Sequence, residues 1–460
     1  MTSHQSKFNK YFSTIRQLLR GIMIIIPVAI TIGSLVALFL WLLGQAIHFR
    51  FDHQWLLFLL PMGGLVIHLV YRSTGKSSEK GNNLIIEQIH LQGGAIPIVM
   101  TPLILLSTIL THLLGGSAGR EGTAVQIGGS IAAQFGRWFK LKGPDMQMVV
   151  TAGIAAGFGA VFGTPVTGAI FALEILAPGK IQYKTLLPIL IAAVAGDLTV
   201  AAWHISHTHY HIDALPATHY GFSSVQLYLL LFAKVMLSSA AFGLASLLFI
   251  RMGHEIKYLC NKIFSNKWMI PLFGGLLIIG LTILLGKPDY LSLGVDPEYA
   301  GAVTIPSAFS TGGADTWSWL WKTIYTTITL ATGFKGGEVT PLFYIGATLG
   351  NTCAALLDAP VSLFAALGFI AVFAGATKTP IACTIMGIEL FGSQHAVLFA
   401  AACFIAYLCS GHRGIYIALK MEDAHCISPS NPANSFPPMA SNKYRSYLGQ
   451  KISRYKEPFR

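Results

Sequence analysis

The sequence predicts an all-α polytopic membrane protein. Only 11% of its 460 residues are charged, whereas soluble domains carry about 25% charged residues, and its mean hydropathy is +0.60. Apolar runs of roughly 20 residues, the length that spans a bilayer as a helix, recur along nearly the whole chain. Other apolar runs are short or interrupted by glycine, which is typical of half-helices that enter the membrane without crossing it. An ordinary soluble domain is therefore excluded.

The first element is a basic segment followed by a long apolar run. Residues 1–20 carry four lysines and arginines, and the run after them is longer than the core of a signal peptide, about 7–15 residues. We predict that residues 1–20 form an N-terminal tail and that the run is a membrane helix. Residues 419–460 form a second basic tail. The positive-inside rule places both tails in the cytoplasm, so we expect an even number of crossings.

An acid flanked by glycines occurs twice in apolar surroundings. The first copy, GSAGREGTAVQIGGS, contains Glu121, and the second, GFKGGEVTPLFYIGATLG, contains Glu338 in a matching setting. Each copy is followed by a shared element, first FGTPVTGAIFALE and then ATKTPIACTIMGIE. Two halves with glycine-broken segments at corresponding positions indicate a transporter built from repeats, whose site lies where the broken segments meet.

The first acid is a candidate for coupling protons to an anion, because a carboxylate at membrane depth is costly and usually marks an ion or proton path. A glycine loop before a helix points N–H groups and the positive end of the helix dipole at an anion. Glu121 would occupy such a site when ionised and leave it when protonated. The structural alternative is a loop glutamate paired with Arg120 at the membrane edge.

The second glycine loop follows the same logic. Pro341 suits the first turn of a helix, and Val339 would line the passage. Glu338 would repel an anion there unless it were protonated or paired. A structural salt bridge with Lys335 is the competing interpretation.

Two further residues are candidates for lining the path. Asn82 lies in a third glycine-led segment, and its amide would donate hydrogen bonds to a small hard anion, although GNN is also an ordinary turn. Tyr416 lies just past the last apolar run. Its hydroxyl would reach the site or join an interfacial aromatic belt.

The sequence predicts no metal, no cofactor and no enzymatic activity. The spacing of five histidines between the halves fits no standard metal-ligand set and favours a solvated connector, with a metal site as the alternative; they are His204, His207, His209, His211 and His219. The six cysteines lack CxxC spacing and are expected to be buried thiols. An intramembrane metal hydrolase is disfavoured because no HExxH pair is present. The net charge of +12 suits anionic lipid headgroups of the bilayer and needs no nucleic-acid partner.

Three motifs resemble the CLC family of chloride channels and proton-coupled anion antiporters. GREGT at 119–123 is similar to the family's G(K/R)EGP motif, and GGEVTP at 336–341 is similar to GGxFxP. FGTPVTGAIFALE is similar to the stretch that contains the FNAP element. The resemblance implies a CLC-type inverted-repeat bundle with broken or half helices, with a first repeat over residues 21–215 and an inverted one over residues 216–418. It also implies a homodimer with one anion path per subunit.

Departures from the chloride-type motifs resemble the fluoride-exporting branch, the CLC-F antiporters. Asn82 stands where chloride-type members have a filter serine, and Glu338 stands where they have an apolar residue. Ile175 stands where chloride/proton antiporters carry an inner proton-transfer glutamate.

This resemblance implies roles for the candidate residues. Glu121 would be the gating carboxylate and Glu338 a second coupling acid. Asn82 and Tyr416 would line the path, with Val339 beside them. Backbone amides near Gly122 and Val339 would donate to the anion.

The expected function is therefore fluoride export from the cytoplasm in exchange for inward protons, across a bacterial inner (plasma) membrane. Two alternatives stay open at this point. One is a chloride/proton antiporter of the same fold, and the other is a passive anion channel.

Overall fold

A computed structural model describes residues 2–91, 95–176, 183–213 and 224–416 of the chain. This part contains fifteen α-helices and no strand of a sheet. They are α1 (Thr2–Asp52), α2 (Leu60–Thr74), α3 (Asn82–His90), α4 (Met100–Leu113), α5 (Glu121–Trp138), α6 (Pro144–Phe162), α7 (Pro165–Glu174), α8 (Tyr183–Ala202), α9 (Ser224–Ile263), α10 (Met269–Leu285), α11 (Ser318–Ala331), α12 (Val339–Leu357), α13 (Val361–Thr377), α14 (Pro380–Phe391) and α15 (Ala396–Cys409).

The predicted tails and repeat boundary are only partly visible. The predicted N-terminal tail, residues 1–20, is helical from Thr2 and continues into the membrane part of α1. The predicted junction between residues 215 and 216, His219 and the C-terminal tail, residues 419–460, lie outside the described residues.

The helices are of two kinds, as the apolar runs predict. Five helical segments of the described chain are long and apolar enough to cross a membrane; they are Gly21–Asp52, Gln54–Thr74, Pro144–Phe162, Thr185–Ala202 and Tyr228–Ile263. Shorter apolar helices of 10–17 residues lie between and after them along the chain, including α4, α7, α13 and α14. Some boundaries follow from local chemistry. Proline opens α6, α7 and α14, where its missing N–H has no partner to lose, and Gly163, with a φ of 70°, ends α6.

The two halves contain corresponding helix crossings. α5 packs against α6 in the first half, and α12 packs against α13 in the second. Each pair crosses glycine on glycine, Gly128 on Gly153 and Gly346 on Gly368, where a Cβ atom on either glycine would overlap the partner's carbonyl oxygen. Such small-residue contacts bring helix backbones close together in a membrane.

The halves are also joined by reciprocal helix caps. The carboxylate of Glu174, at the end of α7, accepts two hydrogen bonds of 3.2 and 2.8 Å from backbone N–H groups in the first turn of α14. The carboxylate of Glu389, in α14, accepts two of 2.9 and 2.7 Å from the first turn of α7. Each carboxylate satisfies free N–H groups and the positive dipole end of the other helix. This explains why both prolines stand nine residues before a glutamate.

Basic and acidic side chains concentrate at different helix ends. Basic side chains concentrate where α2 and α9 finish, on what we call the lysine-rich face, which bears Arg72, Lys76, Lys80, Lys257 and Lys267. Acidic side chains concentrate where α1 ends, on what we call the acidic face, which bears Asp289, Asp296, Glu298 and Asp315. Arg50 pairs with Glu298 there.

Candidate functional site

The two glycine-rich motifs meet in the interior of the bundle. The N–H of Gly119 donates to the carbonyl of Gly337 at 2.6 Å, and the N–H of Gly337 donates to the carbonyl of Gly119 at 2.8 Å. This antiparallel bridge brings the first turns of α5 and α12 side by side. The free N–H groups and positive dipole ends of both helices therefore converge, which is an arrangement that binds anions.

The sequence motifs predict that Glu121 and Glu338 occupy equivalent positions in the two halves. The bridge shows that this prediction is wrong. Because Gly119 pairs with Gly337, the counterpart of Glu121 is Val339, and the counterpart of Glu338 is Arg120, which precedes α5. Glu121 is the first residue of α5, whereas Glu338 precedes the first residue of α12. This one-residue offset sends the two side chains to different surroundings.

The side chain of Glu121 crosses to the start of α12. It is 1% exposed, and its carboxylate accepts hydrogen bonds from the Val339 N–H at 2.5 Å and the Thr340 hydroxyl at 2.7 Å. The Arg120 backbone N–H donates a third, at 2.9 Å. The expected alternative, a pair between Glu121 and the Arg120 side chain, is wrong because only the backbone of Arg120 takes part. Glu121 thus occupies a position at a helix N-terminus that an anion would otherwise take.

The Glu338 carboxylate has a contrasting environment. It is half-buried, and within the described chain neither a hydrogen bond nor an ion pair reaches it. The alternative salt bridge with Lys335 is wrong, because the Lys335 ammonium instead lies 4.4 Å from the centre of the Tyr71 ring. The charged groups near enough to interact with Glu338 are Glu121 and Lys257.

A cavity of about 140 Å³ adjoins Glu338 and opens beside α3; we call it the amide cavity. Asn82 and Tyr416 line it together with Glu338. The Asn82 Nδ2 atom lies 3.3 Å from the position that a Cβ atom would take on Gly122, so the asparagine lies beside the start of α5. The buried Oδ1 atom of Asn82 has no hydrogen-bond partner in the described residues.

The predicted site residues therefore divide into two groups. Three of them, Asn82, Glu338 and Tyr416, lie on the amide cavity, where Tyr416 is only 4% exposed. The other three, Glu121, Gly122 and Val339, lie in the first turns of α5 and α12. The Val339 side chain is buried, and its backbone N–H donates to the Glu121 carboxylate.

Two residues with evident contacts were not singled out from the sequence. Thr340 donates its hydroxyl to Glu121. Gln126 lines the amide cavity. Its sequence position could have indicated this, because Gln126 stands four residues after Gly122 and so lies on the same side of α5. The basic groups on this cavity are Lys80 and Lys335.

The histidine segment lies away from this cavity. His207 approaches Asp197, with 3.9 Å between Nε2 and Oδ1. Among the described residues, no group of three or more histidine, cysteine, aspartate or glutamate side chains is placed to hold a metal ion.

Comparisons with known proteins agree with this geometry. A family profile described as "Voltage gated chloride channel" matches residues 62–411. A "Chloride/fluoride channel protein" of Pseudomonas syringae pv. tomato is 44% identical over 398 residues, which are 86% of this chain and 85% of that protein.

Solved structures give the same result. A CLC-type fluoride/proton antiporter superposes with a TM-score of 0.79 at 32% identity, covering 87% of this chain and 98% of the other. A slow cyanobacterial Cl⁻/H⁺ antiporter, at 17% identity, superposes with a TM-score of 0.68 over 86% of this chain and 96% of the other, and shows likeness of fold alone. The predicted helical fold and the family resemblance are confirmed: the chain belongs to the voltage-gated chloride channel family, the CLC family of anion channels and transporters.

Proposed function

We propose that this CLC protein is an antiporter that exports fluoride in exchange for inward protons, and that it is a transporter rather than an enzyme. The observation that carries the proposal is the position of the Glu121 carboxylate, which accepts hydrogen bonds from the Val339 N–H and the Thr340 hydroxyl at the start of α12 and from the Arg120 N–H before α5. An ionised carboxylate and an anion compete for the same N–H groups there. Protonation removes the charge that these donors favour, so proton binding by Glu121 frees the site for the anion.

The preference for fluoride is supported by the chemistry of the amide cavity. Fluoride is small and strongly hydrated, so it needs compact donors to replace its water. The Asn82 amide carries two N–H donors where a serine would offer one O–H. The Pseudomonas relative is named a chloride/fluoride channel protein, and the structure with 32% identity is that of a fluoride/proton antiporter, which agrees with this choice.

The proton pathway requires a second titratable group between Glu121 and the far side of the membrane. Ile175 is buried and apolar, so it cannot carry a proton at the position where chloride/proton antiporters have an inner glutamate. Glu338 is the acidic group that interacts with Glu121 and also faces a cavity. We therefore assign it the role of second coupling acid.

The orientation and assembly belong to the same proposal. The positive-inside rule places the lysine-rich face in the cytoplasm, with both termini on that side of a bacterial inner membrane. A homodimer with one pathway per subunit would use the apolar side chains that α8 and α15 expose, including Leu198 and Leu408.

The test uses purified protein in liposomes, with ion-selective electrodes for fluoride and chloride and a pH probe. Protein-free liposomes are the control. Fluoride efflux faster than chloride efflux, with protons moving in the opposite direction, is the expected result. Chloride flux that equals or exceeds fluoride flux would indicate a chloride/proton antiporter. Anion flux without proton movement would indicate a passive channel.

A further inference from the structure

A small cavity adjoins the residues that hold the Glu121 carboxylate; we call it the outer cavity. It has a volume of about 20 Å³ and shares no lining residue with the amide cavity. Arg120 and Thr340, two of the three residues that donate hydrogen bonds to Glu121, line it. Val295 lines it as well and precedes Asp296 of the acidic face. The outer cavity therefore lies between the start of α12 and the acidic face.

The polar part of this lining suits an anion. The Arg120 guanidinium forms no ion pair within the described chain, and its buried Nε atom has no hydrogen-bond partner there. A buried polar or charged group without a partner is costly, so an anion beside Arg120 would be stabilised. The hydroxyl-bearing residues Thr208 and Thr340 line the same cavity, and no carboxylate among the described residues does. The cavity thus offers donors to an anion and no like charge.

The size of the outer cavity limits its occupant. A water molecule requires about 10–15 Å³ of such volume, so a cavity of about 20 Å³ holds a single particle of that size. A dehydrated fluoride ion is close to a water molecule in size, whereas a chloride ion is larger. Part of the wall is formed by Phe343 and Phe369, whose stacked rings have centres 3.9 Å apart, and packed rings resist expansion. The cavity would therefore admit fluoride more readily than chloride.

The histidine segment covers this cavity. Its described part, residues 203–213, follows α8. His209 and His211 are exposed, as in a solvated connector, but the half-buried His207 and Tyr210 line the outer cavity. The His207 side chain keeps 20% of its surface exposed. It therefore stands between the cavity and the solvent.

Tyr210 has a counterpart in the second repeat. It stands eight residues after the end of α8, and Tyr416 stands seven residues after the end of α15. α8 and α15 are the helices that follow the reciprocally capped helices α7 and α14. Tyr416 lines the amide cavity and Tyr210 lines the outer cavity. Since corresponding segments of an inverted repeat lie on opposite sides of the membrane, the two tyrosine segments would cover opposite ends of one path.

We propose that the outer cavity is an exit site for fluoride and that the histidine segment is its gate, with His207 as the side chain that sets the width of the opening. This inference rests on the proposed antiport function. A fluoride ion displaced by the returning Glu121 carboxylate passes to the Arg120 guanidinium and leaves when the His207 ring moves aside. The Asp197 carboxylate lies 3.9 Å from that ring, which is longer than a hydrogen bond, so this contact does not lock the ring in place.

The first test widens the gate. His207→Ala removes the ring, and His209→Ala is the matched control because His209 is exposed on the same segment. We expect chloride efflux from liposomes to rise by about fivefold or more in His207→Ala relative to His209→Ala, with fluoride efflux no slower, because the opening then admits the larger ion. A purely structural role for His207 would not raise the flux of the larger ion. Equal chloride efflux in the two variants would overturn the assignment of His207.

The second test blocks the gate. His207→Trp places a larger ring over the cavity, and His209→Trp is its control. Fluoride efflux should fall by about tenfold or more relative to that control. Fluoride binding to the purified protein, measured by calorimetry, should stay within about twofold because the amide cavity remains open. His207→Ala keeps the gate testable if His207→Trp is not monodisperse in size-exclusion chromatography.

The remaining outcomes separate the inference from the function on which it rests. Fluoride efflux in His207→Trp as fast as in His209→Trp would overturn the gate. A large loss of fluoride binding in His207→Trp would also overturn it, because the substitution would then act on the binding site rather than on the exit. If the wild-type protein exchanges no fluoride for protons, the proposed function itself fails. The gate is then decided by chloride efflux, which His207→Trp must slow relative to His209→Trp.

Discussion

The two acid motifs have the same ingredients and opposite surroundings. Glu121 is buried, and three donors hold its carboxylate at the start of the other motif's helix. Glu338 receives no hydrogen bond from the described residues and lines the amide cavity. The difference arises from one residue of register at the bridge between Gly119 and Gly337. A duplicated helix start thus carries one acid that is hydrogen-bonded at a helix N-terminus and one whose carboxylate lines a cavity without a hydrogen bond from the described residues.

The largest loss of transport is expected from removing the charge of Glu121, the acid whose carboxylate is hydrogen-bonded. Glu121→Gln keeps the size of the side chain but can neither ionise nor carry the proton, so proton-coupled fluoride exchange should fall by about 100-fold or more. Flux assays in liposomes measure the loss. Glu255→Gln, on the exposed side of α9, is the control and should behave as the wild type. Undiminished proton flux in Glu121→Gln would remove this residue from the mechanism.

The next largest effect is expected at Glu338, whose carboxylate receives no hydrogen bond from the described residues. Glu338→Gln should lower the number of protons moved per fluoride by about tenfold, because the second proton-carrying group is lost. Simultaneous fluoride and pH recordings give this ratio directly. The amount and elution position of purified protein should not change, since no bond to the carboxylate is lost. An unchanged ratio would mean that the two acids are not partners in coupling.

An effect of similar size, on selectivity rather than on coupling, is expected at Asn82, beside the start of the helix that carries Glu121. Asn82→Ala should reduce the preference for fluoride over chloride by about tenfold, because a hydrogen bond to a charged group is worth about 1.5–3 kcal/mol. Competition between the two anions in the efflux assay measures it. Asn261→Ala, which removes an exposed amide on α9, is the control. Equal selectivity in both variants would show that Asn82 is an ordinary turn residue.

The smallest effect is expected from removing one hydrogen-bond donor to Glu121, the hydroxyl of Thr340. Thr340→Val removes the hydroxyl that reaches Glu121, whereas Thr340→Ser keeps it. Losing one hydrogen bond of about 0.5–1.5 kcal/mol weakens the competing carboxylate, so fluoride should bind the purified valine variant about 2- to 10-fold more tightly. Calorimetry on the valine and serine variants makes the comparison. Weaker binding by the valine variant would instead identify the hydroxyl as a ligand of the anion.

Much of the fold could be predicted because membrane depth, helix length and repeats are encoded in local sequence. Asn82, Glu338 and Tyr416 could be selected from motifs, and the structure places them on one cavity. The register of the two acids could not be predicted, because it depends on a backbone bridge between Gly119 and Gly337.

The reciprocal caps of Glu174 and Glu389 have a consequence for biosynthesis. When the first repeat enters the membrane, α7 lacks the carboxylate that will cover its first turn, and Glu174 lacks the N–H groups that will receive its charge. At about 5–20 residues per second, Glu389 follows about 10–40 s later. The first half must wait in the bilayer over this interval with polar groups unsatisfied, which makes it a natural client for membrane insertion factors that shield such groups.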